Sequence, residues 1–172
     1  MRIRHADPAD AGRLAALMGE CFVLAYHHAS DPPRIAEYVR TQFATEVIGA
    51  QLADRQLITW IVEDLAGHWC GFGQLHLRVE PHPCMLDARR PLELRRFYFH
   101  PAFHGSGMAA ALMAELKATA RAHGADALWL CAWQEAPQAI RFYRKHGFSI
   151  GGTATFWVID DPKDDWVMRC AL

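Results

Sequence analysis

Apolar and polar positions change period several times along this chain, and the changes mark its elements. Near the start, Arg2 to Ala6 is a short strand-like run, and Asp7-Pro8 follows it as a helix-capping residue with proline at the first helical position. Leu14, Leu17, Met18, Cys21 and Phe22 then recur at helical spacing, which predicts a helix to about Ala25. A second helix is expected after Asp31-Pro32-Pro33, with Ile35, Tyr38, Val39 and Phe43 as its apolar stripe, continuing with a bend to Leu52. From Gln56 the period shortens. LITWIVED and WCGFGQLHLRV, separated by Ala66-Gly67-His68, predict a β-hairpin. VEPHPCMLDARRP, with three prolines, reads as a surface loop, and LELRRFYF as the next strand. Met108, Leu112, Leu116 and Ala120 line a helix that stops at Gly124. ALWLCAW is apolar throughout, as a strand covered on both faces would be. Pro137 to Lys145 predicts a short helix ended by Gly147, and FSIGGTATFWVI and DWVMRCAL predict two closing strands around a turn rich in aspartate.

The order is strand, two helices, three strands, helix, strand, helix, two strands. It predicts a single-domain α/β fold over residues 1–172, with a mixed central sheet of about seven strands and helices on both faces. A strand–helix–strand crossover requires parallel neighbours. Two parallel strands feeding separate helices can splay and leave a slot at their carboxyl ends.

Composition narrows the class of partner. The net charge of −1 carries no basic field for nucleic acid or a membrane surface, so a small molecule is the expected ligand. Five scattered cysteines, Cys21, Cys70, Cys84, Cys131 and Cys170, spell neither a zinc site nor a disulfide framework and are expected to be reduced and buried. The N-terminus is too polar for a signal peptide, and no apolar run reaches the ~18 residues of a membrane span, so a cytoplasmic protein is expected.

The segment FHPAFHGSGMAAALM, from Phe99 to Met113, breaks an aromatic strand with Pro101 and opens a helix with two glycines. Three readings compete. Backbone N–H groups of a glycine loop and a helix start can converge on a phosphate, aided by the helix dipole. Gly105, Gly107 and Ala110 satisfy the dinucleotide pattern G-x-G-x-x-A, but five residues separate the strand from the first glycine. Small residues can also serve only to pack a helix closely on a sheet.

LRRFYFHPAFHGSGMAAALM resembles the acetyl-CoA-binding motif of the Gcn5-related N-acetyltransferase (GNAT) superfamily, a strand, a proline, then [R/Q]-x-x-G-x-[G/A]. His104 stands at the Arg/Gln place, Gly107 at the glycine and Ala109 at the small residue. ALWLCAWQEAPQAIRFYRKHGF is similar to the family's next strand and helix, where Ala139, Phe142, Tyr143, Gly147 and Phe148 fit and Ala136 replaces the usual asparagine. Scattered matches, among them Glu20-Cys21-Phe22 and the terminal D-x-V-M, resemble the PaiA-type polyamine acetyltransferases. The resemblance implies the GNAT fold and direct acetyl transfer from acetyl-CoA, as co-substrate and without a metal, to a primary amine of a polyamine-like molecule. It places the coenzyme at Phe97, Phe99, His104, Gly105, Ser106, Gly107, Met108, Ala109, Ala136, Phe142, Tyr143 and Lys145. A monomer or a homodimer fits equally.

Three chemical needs select candidate residues within that resemblance. An alkylammonium of pKa ~10 must lose a proton before it can attack, and Glu93 is the candidate acceptor, with Glu20 as a weaker one. Glu93 can equally be a strand residue paired with Arg95 or Arg96. A carbonyl oxygen gaining charge needs a fixed donor, which the resemblance places at the backbone N–H of Phe99. A leaving thiolate needs a proton, and Tyr143 stands at the family's general-acid position, although a tyrosine beside Phe142 can also be plain core. His104 in place of Arg or Gln would make coenzyme binding pH-dependent.

Other features read as decoys. His100 and His104 have no evident third metal ligand. His27, His28, His82 and, as a loop residue, Cys84 read as surface groups, and Asp160, Asp161, Asp164 and Asp165 as a solvated turn. Trp60, Phe72, Trp129, Trp133 and Trp157 read as mostly core, with one or two lining an acceptor pocket. The rivals to a small-molecule acetyltransferase are a protein N-terminal or lysine acetyltransferase, an acyl-CoA sensor without turnover, and a nicotinamide-dependent reductase.

Overall fold

A computed structural model of the chain describes residues 1–78, 80–85 and 87–172. Val79 and Leu86, inside the stretch read as a surface loop, lie outside the described residues. Seven strands form one sheet in the order β1-β2-β3-β4-β5-β7-β6. They are β1 (Arg2–His5), β2 (Leu57–Glu63), β3 (Trp69–His76), β4 (Pro91–Phe99), β5 (Ala127–Trp133), β6 (Ser149–Val158) and β7 (Asp161–Ala171). Only β4 and β5 run parallel, and the crossover between them is α4 (Met108–Ala122). The other helices are α1 (Ala11–Tyr26), α2 (Pro32–Gln42), α3 (Thr45–Ala53) and α5 (Pro137–Lys145).

Local chemistry sets the helix ends. The Asp7 carboxylate accepts from the Ala9 N–H at 2.8 Å, and Asp10 accepts from the Asp7 N–H at 2.9 Å, a reciprocal cap on a short 3₁₀ turn that leads into α1. Arg4 donates to Asp10 at 2.6 Å and to Glu63 at 3.0 Å, so the same turn is tied to β1 and β2. The single bent helix expected from Pro32 to Leu52 is instead two helices. The chain leaves helical geometry at Phe43 and Ala44, and Phe43 is buried against Phe22. With that side chain turned inward the helix is interrupted for two residues, and α3 then packs on β2.

Alternation along the strands divides the apolar side chains between two faces. Leu75, Leu92, Leu94, Leu128 and Leu130 pack with Leu112, Met113, Leu116, Tyr143 and Phe148 of the α4 and α5 side. Ile61, Phe72 and Val158 pack with Leu14, Met18, Phe22, Tyr26, Ile35 and Ile48 of the α1, α2 and α3 side.

Four expectations need correction. Cys131 is exposed and Cys84 half-buried, although all five cysteines are free thiols. Trp157 is 55% exposed, because it sits on the outer strand β6. The stretch read as a surface loop carries Met85, 1% exposed, which packs on Trp129 and Val167 from a short 3₁₀ turn. The aspartate turn is only Ile159 and Asp160. Asp161, Asp164 and Asp165 belong to β7, and Asp165 is 4% exposed. Strand pairing with β6 continues through these acidic positions, because Asp161 binds Lys163 and Ser30 while Asp164 lies outward.

Candidate active site

The site begins where β4 and β5 part. Only Pro91, Leu92 and Glu93 pair with Ala127, Leu128 and Trp129; beyond them the two strands diverge. On its other side β4 stays bound to β3. His100 donates to the Cys70 carbonyl at 2.9 Å, and Phe99 is the residue opposite Gly71. In an antiparallel ladder, backbone groups point alternately toward and away from a partner. The N–H and C=O of Phe99, and of Phe97 two residues earlier, therefore face the gap toward β5.

Gly71 makes that edge possible, since a Cβ there would lie 2.6 Å from the Tyr98 carbonyl oxygen and 2.7 Å from the Phe99 ring. The Phe99 carbonyl is already engaged by His104 Nε2 at 3.1 Å. A carbonyl can only accept, so this nitrogen carries the hydrogen. The Phe99 N–H is left facing the gap.

Past Phe99 the chain makes a 3₁₀ turn, Pro101–Phe103, and reaches the glycines. Gly105 and Gly107 have φ of 77° and 82°, which L side chains rarely adopt, and a Cβ on either would meet open space. Gly107 is the N-cap of α4 and no side chain caps the helix. Met108, Ala109 and Ala110 lack intrahelical acceptors for their N–H groups, and the one contact at hand is Ser106 Oγ, 3.4 Å from Met108 N. This helix start leaves backbone donors without side-chain partners, facing open space at the glycines.

Beneath the gap lie four aromatic rings. Phe97 stacks on Phe142 at 5.3 Å, meets Phe99 at 5.6 Å and meets Tyr143 edge-on at 6.2 Å. Tyr143 is 8% exposed, and burial pushes its phenol well above the usual value, with a further rise from Tyr98. It stays protonated throughout the physiological range, the form a proton donor requires.

The opposite face of the gap holds carboxylates. Glu93, at the closed end, sits 3.4 Å from His76 Nδ1; burial raises its pKa, while His76, Arg95 and Arg96 pull it back. The expected pairing is therefore made with His76 rather than with Arg95 or Arg96 as salt-bridge partners. Arg96 is held instead by Gln51 at 2.5 Å and Gln74 at 2.9 Å, over the Phe43 ring. Burial lowers it to about 10. Asp165, opposite Trp133 on β7, has its carboxyl pushed up to about 7 by burial and then by Asp164. Cys131 is solvent-exposed, yet surrounding protein pushes its thiol up to about 12, and Asp165 and Glu93 both add to the rise. It lies between the two carboxylates on the wall of the cleft.

Of the residues singled out from the sequence, Phe97, Phe99, Phe142 and Tyr143 form one cluster, and His104 joins it through the Phe99 carbonyl. Gly105, Ser106, Gly107, Met108 and Ala109 form the adjoining helix start. Ala136 is the N-cap of α5, just past the open end of β5, and it too offers no side-chain cap. Lys145 stands apart, exposed at the far end of α5. Glu20 is exposed and lies 3.4 Å from His100. Sequence reading missed Asp165, Tyr98 and Tyr26 as site residues. One signal was present for Asp165, since alternation run backward from buried Val167 turns it inward. Among the described residues no group of three or more His, Cys, Asp or Glu is arranged to hold a metal ion, and no helix is long and apolar enough to cross a membrane.

Comparison with known proteins bears on this arrangement. The sequence model described as "Acetyltransferase (GNAT) family" matches residues 16–148. A Mycobacterium bovis protein named as an uncharacterised N-acetyltransferase is 36% identical over 160 residues, covering 92% of this chain and 96% of its own. Among solved structures, the PaiA N-acetyltransferase of Thermoplasma acidophilum, in complex with coenzyme A, superposes with a TM-score of 0.81 at 17% identity, over 99% of this chain and 98% of that one. An acetyltransferase of Salmonella typhimurium, determined with its cofactor acetyl-CoA, gives 0.76 at 20% identity, over 100% and 94% of the two chains.

Proposed function

Because the chain belongs to the acetyltransferase (GNAT) family and is an N-acetyltransferase, we propose that it moves an acetyl group from acetyl-CoA to a primary amine of a small, polyamine-like molecule by direct attack. The observation that carries the reading is the parting of β4 and β5 beside an uncapped, glycine-opened helix start. These features fit the coenzyme. Positive-φ glycines with open space before them leave room for a diphosphate against the main chain, and the N–H groups of Ala109 and Ala110, with that of Met108 held only at 3.4 Å by Ser106 Oγ, are its natural donors. Phe97, with backbone groups turned into the gap, suits an amide-bearing chain lying alongside β4 as a further strand. The coenzyme supplies an activated acetyl thioester.

Each candidate residue then has a task. The Phe99 N–H, fixed by the β3–β4 ladder, donates to the acetyl oxygen as it gains charge, and such a donor can contribute ~3 kcal/mol. Tyr143 gives its proton to the departing sulfur. Glu93, with a raised pKa at the closed end of the gap, takes the amine's proton through water. Five free thiols suit a reducing compartment such as the cytoplasm.

Titration with acetyl-CoA, followed by thiol release across a panel of diamines, polyamines, amino-acid amides and peptides, tests the proposal. Release with short alkylamines is expected. Tight coenzyme binding with no release for any amine would make the protein a sensor instead, and release only with peptides would make it a protein acetyltransferase.

A further inference from the structure

Asp165 is the buried charge for which the reaction outlined above has no use. It is 4% exposed, its Oδ1 is enclosed without a hydrogen-bond partner, and its carboxylate forms no ion pair with any described residue. Leaving such a group unpaired is costly, and the fold meets that cost by holding a proton on it, so a cation that reached Asp165 would take the proton's place.

The surroundings say which ligand. Trp133 lies directly opposite Asp165 across the β5–β7 pair, Tyr26 stacks on Trp133 at 5.6 Å, and Phe156 stands 5.7 Å from Tyr26. Tyr98 reaches in from β4, close enough to interact with Tyr26 and to feel the charge of Asp165. Three strands and one helix thus surround one carboxylate with aromatic rings, an environment suited to a cation bearing an apolar stem. Solvent reaches the cleft wall at exposed Cys131, which senses Asp165 on one side and Glu93 on the other.

Charge distinguishes the two carboxylates. His76, Arg95 and Arg96 already surround Glu93, whereas among the described residues no cation is felt by Asp165. The ammonium that does not react therefore has its unneutralised counter-charge at the Trp133 end, while the reacting amine is left to Glu93 at the closed end. We infer that Asp165 is the recognition point for an alkylammonium group of the acceptor, held in a box of Tyr26, Tyr98, Trp133 and Phe156. This rests on the acetyltransferase reading for the word acceptor, but the binding site itself is testable without turnover.

The test is calorimetric titration of the full chain with 1,4-diaminobutane and with the neutral 1,4-butanediol, for the unaltered protein and Asp165→Asn, with acetyl-CoA titrated in parallel. The diamine is expected to bind at least about tenfold more tightly than the diol, and Asp165→Asn to abolish that preference while leaving acetyl-CoA affinity within about twofold. A second measurement needs no variant. Affinity of the unaltered protein for the diamine should strengthen as pH rises from 6 to 8, through the value of about 7 for Asp165.

The groups facing Asp165 do not mimic that profile. Tyr26 from α1, Tyr98 from β4 and Cys131 from β5 are all pushed upward and stay neutral over this range, and Asp164 is on the same strand. His28, 5.4 Å from Trp133, is controlled by repeating the profile with His28→Gln. A diamine preference that survives Asp165→Asn, or a flat profile from pH 6 to 8, overturns the site whatever the coenzyme does. Failure of acetyl-CoA to bind, with the Asp165-dependent preference intact, overturns the transferase reading and supports the site.

Discussion

At the scale of single residues, the groups proposed to react divide into those a side chain announces and those only the backbone supplies. Tyr143→Phe removes one hydroxyl from a packed ring and should lower turnover at least about tenfold while coenzyme affinity hardly changes; steady-state rates beside a coenzyme titration check this. Gly107→Ala forces a β-carbon onto a residue at φ 82°, which should destabilise the fold by about 1–2 kcal/mol in denaturant unfolding and weaken acetyl-CoA binding by distorting the helix start. The places of Tyr143 and the glycines beside the gap were legible in the sequence because their motif spacing is strict. The Phe99 N–H has no side-chain signature, so its orientation emerges only from the hydrogen bond of His100 to Cys70. Asp165 was misread because four neighbouring aspartates look like a solvated turn, while the tyrosines and tryptophan that enclose it come from distant parts of the chain.

At the scale of elements, most of the sheet and helices followed from periodicity, and the exceptions have local causes. The run from Pro32 to Leu52 keeps helical spacing throughout, yet the chain breaks at Phe43, whose ring is buried against Phe22. The proline-rich stretch after β3 has no period, so Met85 gave no warning that it plugs the sheet beside Trp129. The register of β3 on β4 is the element-level device that matters for chemistry. Gly71→Ala would set a β-carbon 2.6 Å from a backbone oxygen of β4, and one strand must move. The expected result is a loss of about 1–3 kcal/mol in stability, together with a fall in turnover exceeding any loss of coenzyme affinity. Unfolding curves and kinetics on the same preparation separate the two.

At the scale of the whole molecule, pH acts on stability in two opposed ways. Asp10, Asp126 and Asp161 have folded pKa values held below their unfolded ones by hydrogen bonds, so the stability they contribute is present at neutral pH and lost on strong acidification. Asp165 works in reverse. Its folded pKa of about 7 exceeds the ordinary value of 3.8, so the folded state binds the extra proton between those limits and stability falls as pH rises through them. Melting temperatures at pH 5 and pH 8 should therefore differ less for Asp165→Asn than for the unaltered protein, and at pH 8 the variant should melt higher. Sheet connectivity adds a mechanical consequence. Three residue pairs hinge two blocks of strands, and six further β4 residues extend from that hinge to Phe99 as a lever roughly 20 Å long. A tilt of about 3° at Leu92 and Leu128 swings the lever tip by about 1 Å, a displacement able to slow a reaction about a hundredfold, so trimming these two buried leucines should throttle the enzyme from afar.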